Sequence, residues 1–176
     1  MKFSETPLKG AYIVELEKRG DDRGFFARAF DTEEFKAHGM NSTILQINMS
    51  GSTRKGTLRG LHYQVEPMGE TKFVRCIRGA VFDVIVDMRP DSPTFKKWYG
   101  AELTPDNRKA MYIPAGFAHG HQTLLPNSEI LYAVSQVYSP EHERGLRFDD
   151  PAIRILWPLA PTVMSDKDKS WPHFKG

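Results

Sequence analysis

The stretch KFVRCIRGAVFDVIVD, residues 72–87, decides the fold class of this chain. Its two halves, residues 72–78 and 81–87, are rich in valine, isoleucine and phenylalanine, which favour β-strands. Gly79 stands between them as a turn residue. The stretch therefore predicts two consecutive strands.

Similar segments recur on both sides at roughly the eight-to-twelve-residue spacing of a sandwich or barrel. Strands are predicted at residues 11–16, 25–30, 43–49, 95–103, 111–113, 119–124 and 129–138. Residues 50–56 form a predicted polar loop, and residues 31–39 a helix with Asp31 and Glu34 at capping-box spacing and Gly39 at its end. Because a closed barrel removes exposed strand edges, we predict an all-β jelly-roll barrel with a few short helices.

Composition narrows the class of protein. The 176 residues predict one domain, residues 1–176, with an extended N-terminal segment and an irregular C-terminal tail. A net charge of +2 from 24 basic and 22 acidic residues argues against a nucleic-acid partner. No apolar run reaches membrane-spanning length, the N-terminus lacks a signal-peptide core, and the single cysteine, Cys76, fits a reducing cytoplasm. We expect a cytoplasmic protein with no membrane partner.

Two segments place histidine beside glycine within otherwise apolar sequence: LRGLHYQ, residues 58–64, and PAGFAHG, residues 114–120. Glycine permits close approach of another group to the backbone, and histidine titrates near neutrality. These segments indicate a proton-handling pocket inside the barrel, with His62 as its first candidate.

A metal site is the alternative interpretation of the histidines. His119 and His121 resemble half of a cupin metal site, and His62 offers a third nitrogen. Metal-binding cupins carry a glutamate three or four residues after such a pair, whereas the next acid here is Glu129, and Gln64 stands where a second imidazole is expected near His62. We therefore predict no metal and no cofactor.

Other residues are ambiguous from local sequence alone. Lys72 is either an exposed strand end or a cation in the barrel interior that stabilises an enolate oxygen. Tyr132 and Tyr138 are packing residues by the ordinary interpretation, but a buried phenol can also donate a proton or stack on a base. Arg23 and Arg59 are candidate diphosphate ligands because guanidinium groups match phosphate oxygens.

Taken together, these segments resemble the dTDP-4-dehydrorhamnose 3,5-epimerases. The resemblance runs in order from about residue 8 to residue 172 and includes DRGFF at 22–26, LRGLHYQ at 58–64, KFVRC at 72–76, PAGFAHG at 114–120 and SDKD at 165–168. It implies a cupin-type jelly roll without metal and a homodimer with exchanged N-terminal segments. It also implies epimerisation of a nucleotide-diphospho-4-keto-6-deoxy-hexose at the carbons flanking the ketone, in a polysaccharide or glycoside precursor pathway.

The resemblance assigns roles residue by residue. His62 matches the base, Asp168 the carboxylate that orients it, Lys72 the cation at the C4 oxygen, and Tyr132 the acid on the opposite face; local reasoning does not select Asp168. Substrate contacts match Arg23, Arg59, His119, Glu143 and Lys167, the nucleotide-holding loop matches Gln46 and Asn48, and the stacking ring matches Tyr138.

Two departures from the family pattern concern the substrate. Arg28 stands where the family usually carries an acid, and the loop from Asn48 to Leu58 is one residue longer than usual. Arg28 is therefore a candidate substrate contact that alters substrate choice. The rival interpretations are a single-carbon epimerase, a keto-sugar isomerase and a non-catalytic sugar-nucleotide-binding cupin.

Overall fold

The computed structural model describes residues 1–174, in which strands dominate. The strands are β1 (Lys2–Glu5), β2 (Tyr12–Glu15), β3 (Arg19–Asp21), β4 (Gly24–Phe26), β5 (Gln46–Ser52), β6 (Leu58–Gln64), β7 (Lys72–Arg78), β8 (Val81–Asp87), β9 (Trp98–Leu103), β10 (Lys109–Ile113), β11 (Phe117–Thr123), β12 (Ser128–Val134) and β13 (Glu143–Gly145). Two short helices, α1 (Thr32–Ala37) and α2 (Asp166–Ser170), complete the elements.

Two antiparallel sheets face each other. The six-stranded sheet has the order β1-β2-β10-β7-β12-β5, and the five-stranded sheet has the order β13-β6-β11-β8-β9. A separate two-stranded hairpin is formed by β3 and β4. The predicted cupin-type jelly-roll fold is confirmed.

The core between the sheets follows from the two-residue period of the strands. Val74 and Cys76 of β7 pack inward against Ile85 of β8 and Phe117 of β11, and all four are buried. Because Lys72 lies on the same face of β7 as Val74 and Cys76, its side chain is directed into the barrel as well.

Several predicted boundaries differ from the structure. The strand predicted at 25–30 ends at Phe26, since the chain then leaves the hairpin and Phe30 packs on Phe35 of α1 with ring centroids 4.8 Å apart. The predicted loop at 50–56 begins too early, because Ser50 and Ser52 extend β5 and pair with β12. The predicted N-cap Asp31 is confirmed, since its side chain accepts hydrogen bonds from two backbone N–H groups of α1.

Among residues 1–174, no helix is long and apolar enough to cross a membrane.

Candidate active site

Two adjoining cavities open between the sheets. The first, of about 470 Å³, is lined by Arg59, His119 and Asp168 among others, and the second, of about 400 Å³, is lined by Asn48 and Tyr138 among others. Both cavities are lined by His62, Lys72 and Tyr132. A ligand that spans the cavities would therefore pass these three side chains.

An irregularity in β6 brings the side chains of Arg59 and His62 to one face. His62 pairs with His119 and Arg59 pairs with His121, with a register shift between them, so two residues of β6 oppose the single Gly120 of β11. A bulge of this kind redirects side chains, and both Arg59 and His62 line the first cavity. Gly60 has φ of +109°, and a Cβ there would collide with the backbone of Gly120. The predicted close backbone approach at these glycines is confirmed.

The C-terminal helix α2 supplies the partner of His62. Nε2 of His62 lies 2.6 Å from Oδ1 of Asp168, whose side chain is only 5% exposed. Ser165 caps α2 by accepting the backbone N–H of Asp168, and Gly60 donates its backbone N–H to Oδ2 of that carboxylate at 3.3 Å. These contacts fix the position of the carboxylate, which in turn fixes the imidazole.

The charge of Asp168 determines which nitrogen of His62 is basic. Burial opposes ionisation, but hydrogen bonds from His62, Gly60 and Ser165 lower the pKa of Asp168 below its ordinary value. Because an ionised carboxylate only accepts hydrogen bonds, Nε2 carries the proton in neutral His62 and Nδ1 presents its lone pair. Nδ1 can therefore accept a proton from a group bound in the cavity.

Lys72 forms an ion pair inside the barrel. Its Nζ lies 3.0 Å from Oε1 of Glu70, and the two side chains are only 11% and 12% exposed. Nζ also lies 3.4 Å from the backbone carbonyl oxygen of His62, to which it donates. A cation beside the base can stabilise an oxyanion that forms there, while Glu70 offsets the cost of burying its charge.

Tyr132 belongs to β12, in the sheet opposite His62, where it pairs with Asn48 of β5. Burial, followed by the negative charge of Glu70, raises the pKa of Tyr132 above its ordinary value, while Arg59 acts in the opposite direction. The phenol therefore stays protonated at neutral pH and can donate from the opposite wall of the cavity.

A polar cluster connects the walls of the two cavities, since Glu143 and Tyr138 line the second and Lys167 lines the first. Glu143 of β13 accepts a hydrogen bond from the Tyr138 hydroxyl at 2.8 Å and pairs with Nζ of Lys167 at 2.5 Å. Despite partial burial, these hydrogen bonds lower the pKa of Glu143. Gln46 and Asn48 line the second cavity as well, so four of the predicted substrate contacts lie in its wall and Lys167 is paired with one of them.

Arg59 and His119 are held in place by protein groups. Nε of Arg59 donates to the Ser52 hydroxyl at 3.1 Å, and its Nη2 donates to the backbone carbonyl of Gly51 at 3.0 Å. Nε2 of His119 lies 2.7 Å from Oδ1 of the fully buried Asp83. Both side chains line the first cavity.

Two predicted contacts lie away from both cavities within one chain. Arg23 stands at the tip of the β3–β4 hairpin, 89% exposed and paired with Asp21. Arg28 pairs with Asp31 at 2.8 Å and lines a separate small cavity together with Phe26. Their predicted contact with substrate stays a prediction.

The first 174 residues contain no group of three or more histidine, cysteine, aspartate or glutamate side chains arranged to hold a metal ion. Nε2 of His119 is engaged by Asp83, and the rings of His119 and His121 lie 6.4 Å apart between centroids.

Comparison with known proteins gives the family. A family model described as dTDP-4-dehydrorhamnose 3,5-epimerase matches residues 5–176. The chain belongs to this family. It is 46% identical over 173 residues to the dTDP-4-dehydrorhamnose 3,5-epimerase of Sinorhizobium fredii, covering 98% of this chain and 89% of the relative. The protein is therefore an isomerase-class enzyme.

Solved structures of the family superimpose over nearly the full length. The Bacillus anthracis epimerase, crystallised with TDP and PPi, has a TM-score of 0.94 at 40% identity and covers 98% of this chain and 99% of its own. A 3′-monoepimerase from Streptomyces bikiniensis, in complex with dTDP-quinovose, has a TM-score of 0.87 at 33% identity. The match covers 96% of this chain and 85% of the monoepimerase. The family fold thus includes both double and single epimerases.

Sequence reasoning missed two acids that organise the site, Glu70 and Asp83. Glu70 lies two residues before Lys72, hence on the same face of the chain if the strand is extended, and this spacing was an available signal. Asp83 interrupts the apolar run of β8, where an acid without a partner would be costly. His121 was weighed only as a metal ligand, and it lines the first cavity.

Proposed function

We propose that this enzyme inverts the carbons flanking the C4 ketone of a nucleotide-diphospho-4-keto-6-deoxy-hexose. The observation that carries the proposal is the His62–Asp168 dyad, which shares its cavity with Lys72 and with Tyr132 of the opposite sheet. The family relationship supports a dTDP-linked substrate.

The first step removes a proton. Nδ1 of His62 takes the proton from a carbon adjacent to the ketone, the C–H electrons form the enolate, and the imidazole becomes imidazolium. Asp168 stabilises that cation through the hydrogen bond from Nε2. Nζ of Lys72 stabilises the negative charge that develops on the C4 oxygen.

The second step returns a proton to the opposite face of the same carbon. The Tyr132 hydroxyl donates its proton, the enolate collapses to the ketone, and the phenolate regains a proton from solvent while His62 releases its own. Because His62 and Tyr132 belong to opposite sheets, abstraction and return take place on different faces, which is the requirement for inversion. Repetition at the second flanking carbon gives the double epimerisation.

Recognition of the rest of the substrate divides between the cavities. We assign Gln46, Asn48 and the Tyr138 ring to the nucleotide, Arg59 and His119 to the diphosphate, and Glu143 with Lys167 to the entrance between them. This division agrees with the chemistry of the groups, since arginine forks suit phosphate oxygens and aromatic rings suit bases.

Arg23 and Arg28 enter this scheme through a homodimer. The β3–β4 hairpin carries Arg23 together with Phe25 and Phe26, which are 56% and 62% exposed. An exposed apolar hairpin with a cation at its tip suits insertion beside a second subunit. We propose that the hairpins exchange in a homodimer, so that Arg23 reaches the diphosphate and Arg28 the nucleotide in the partner's site.

Subunit mixing tests the exchange. His62→Ala and Arg23→Ala homodimers are expected to be impaired, and each heterodimer formed from both would contain one intact site if Arg23 acts across the interface. Random exchange of equal amounts would then restore roughly a quarter of the wild-type sites. No recovery in verified heterodimers would place Arg23 in its own subunit's site or outside any site.

His62→Ala tests the catalytic proposal. We expect a loss of about two to four orders of magnitude in turnover of dTDP-4-keto-6-deoxyglucose, the range typical of a general base. His173→Ala is the matched control, because His173 is exposed and lines neither cavity. Wild-type turnover by a folded His62→Ala enzyme would falsify the assignment.

Epimerisation at one carbon only is the second candidate, favoured by the structural likeness to the Streptomyces bikiniensis 3′-monoepimerase. The same active groups serve either reaction, and the number of carbons that take up solvent deuterium distinguishes them.

A further inference from the structure

His121 is a buried side chain of the first cavity to which the proposed reaction gives no part. It lies two residues after His119 on β11 and therefore faces the same side of the strand. The two rings are nearly parallel, with 28° between their planes, and His121 retains only 5% of its surface. That remaining surface contributes to the wall of the cavity that contains His62.

The ring nitrogens of His121, unlike Nε2 of His119, make no hydrogen bond to any group of residues 1–174. Nε2 of His119 contacts Asp83. Neither ring nitrogen of His121 is among the fully buried polar atoms without a partner, so each retains some accessible surface, and His121 lines the first cavity. A hydrogen bond made by a largely buried polar group contributes about 0.5–1.5 kcal/mol. A ligand in the cavity is therefore a natural source of the missing hydrogen bond.

The charge state limits which ligand atom fits. Burial lowers the pKa of His121 to about 3, and electrostatic interactions with His119 and Arg59 act in the same direction. The ring is consequently neutral near pH 7, with one N–H donor and one acceptor nitrogen. A sugar hydroxyl, which also donates and accepts, can use either nitrogen, whereas a phosphate oxygen only accepts and is better matched by the cation of Arg59.

Position within the cavities excludes the nucleotide, and the neutral ring favours a sugar hydroxyl over the diphosphate, which we assign to Arg59 in the same cavity. His121 lines the first cavity and is absent from the wall of the second, where Tyr138 and Asn48 lie. We propose that His121 hydrogen-bonds a hydroxyl of the sugar ring and so determines how strongly the enzyme prefers a sugar nucleotide over the free nucleotide. This inference rests on the proposed function, since it takes the reacting sugar to lie beside His62.

Calorimetric titration with two unreactive ligands tests the proposal. dTDP-6-deoxyglucose has the sugar hydroxyls but no ketone, and dTDP has no sugar. His121→Phe keeps an aromatic ring and removes both nitrogens, so we expect about tenfold weaker binding of dTDP-6-deoxyglucose, the effect of one hydrogen bond, with dTDP affinity unchanged within about twofold. His121→Leu provides the same comparison should the phenylalanine variant not fold.

Two conservative variants separate hydrogen bonding from packing. His121→Asn and His121→Gln place amide groups near the former positions of Nδ1 and Nε2 respectively, and we expect one of them to recover most of the lost sugar-nucleotide affinity. His173→Phe serves as the control, since His173 is exposed and outside both cavities.

Failure of the inference about His121 and failure of the proposed function give different binding results. Equal weakening of dTDP and dTDP-6-deoxyglucose would place His121 against the diphosphate, and unchanged binding of both would make it a packing residue; either result overturns the inference and leaves the proposed function intact. A wild-type protein that binds neither ligand would refute the proposed function itself.

Discussion

Asp168→Asn isolates the contribution of the buried carboxylate to catalysis. The 2.6 Å contact between Nε2 of His62 and Oδ1 of Asp168 puts the charge centres of imidazolium and carboxylate about 4 Å apart, a separation at which unit charges interact by about 4 kcal/mol at an effective dielectric constant near 20. This attraction is present only after His62 has accepted the substrate proton. Loss of this attraction in Asp168→Asn therefore raises the free-energy barrier to proton abstraction. An increase of about 4 kcal/mol corresponds to roughly a thousandfold lower kcat.

The matched control is on the same helix. Asp166→Asn makes the same substitution two residues earlier, at a fully exposed side chain that pairs with Lys169 at 3.4 Å. Steady-state kinetics on both variants, with circular dichroism to verify folding, should show the loss in Asp168→Asn and near wild-type kcat in Asp166→Asn. Equal rates in the two variants, or an Asp168→Asn enzyme within threefold of wild type, would refute the electrostatic reasoning.

Three further perturbations test other parts of the site. Tyr132→Phe should retain exchange of substrate hydrogen with solvent through His62 while losing inverted product; parallel loss of both, measured by NMR, would assign Tyr132 to binding or enolate stabilisation. Glu70→Gln removes a negative charge that raises the pKa of Tyr132, so the phenol should lose its proton at lower pH. The alkaline limb of the kcat–pH profile should then shift to lower pH, whereas the exposed control Glu66→Gln should leave it in place. An unshifted limb in Glu70→Gln contradicts this prediction. Dialysis against a strong chelator should leave activity within about twofold of the untreated enzyme, and activity that disappears and returns with a divalent metal would overturn the metal-free prediction.

The central strands could be predicted from sequence because local preference and tertiary role agree there. The strands predicted at residues 72–78 and 81–87 have the same bounds as β7 and β8. Their apolar β-branched side chains favour a strand and also face the core. The hairpin was less predictable: Phe25 and Phe26 lie in a strand as predicted, but the strand ends at Phe26 and both side chains are exposed. Aromatic content indicates a strand but cannot say what will cover it.

Residues of the site with a local sequence signal could be predicted, whereas those placed by distant parts of the chain could not. His62 stands beside the glycine that lets β6 and β11 approach, which is a local signal. Asp168 is 106 positions from His62. It lies in a polar segment whose composition is typical of a solvent-exposed tail, so only the family resemblance selected it. The bulge that turns Arg59 and His62 to one face depends on pairing with β11, and strand periodicity alone places them on opposite faces.

Incubation of the enzyme with dTDP-4-keto-6-deoxyglucose in deuterated water, followed by NMR of the sugar, tests the central claim most directly. We predict deuterium at both carbons flanking the ketone, with inverted configuration and no incorporation by His62→Ala. Deuterium at a single carbon would establish the single-carbon alternative. A folded wild-type enzyme that binds the sugar nucleotide and exchanges no carbon-bound hydrogen would contradict the account.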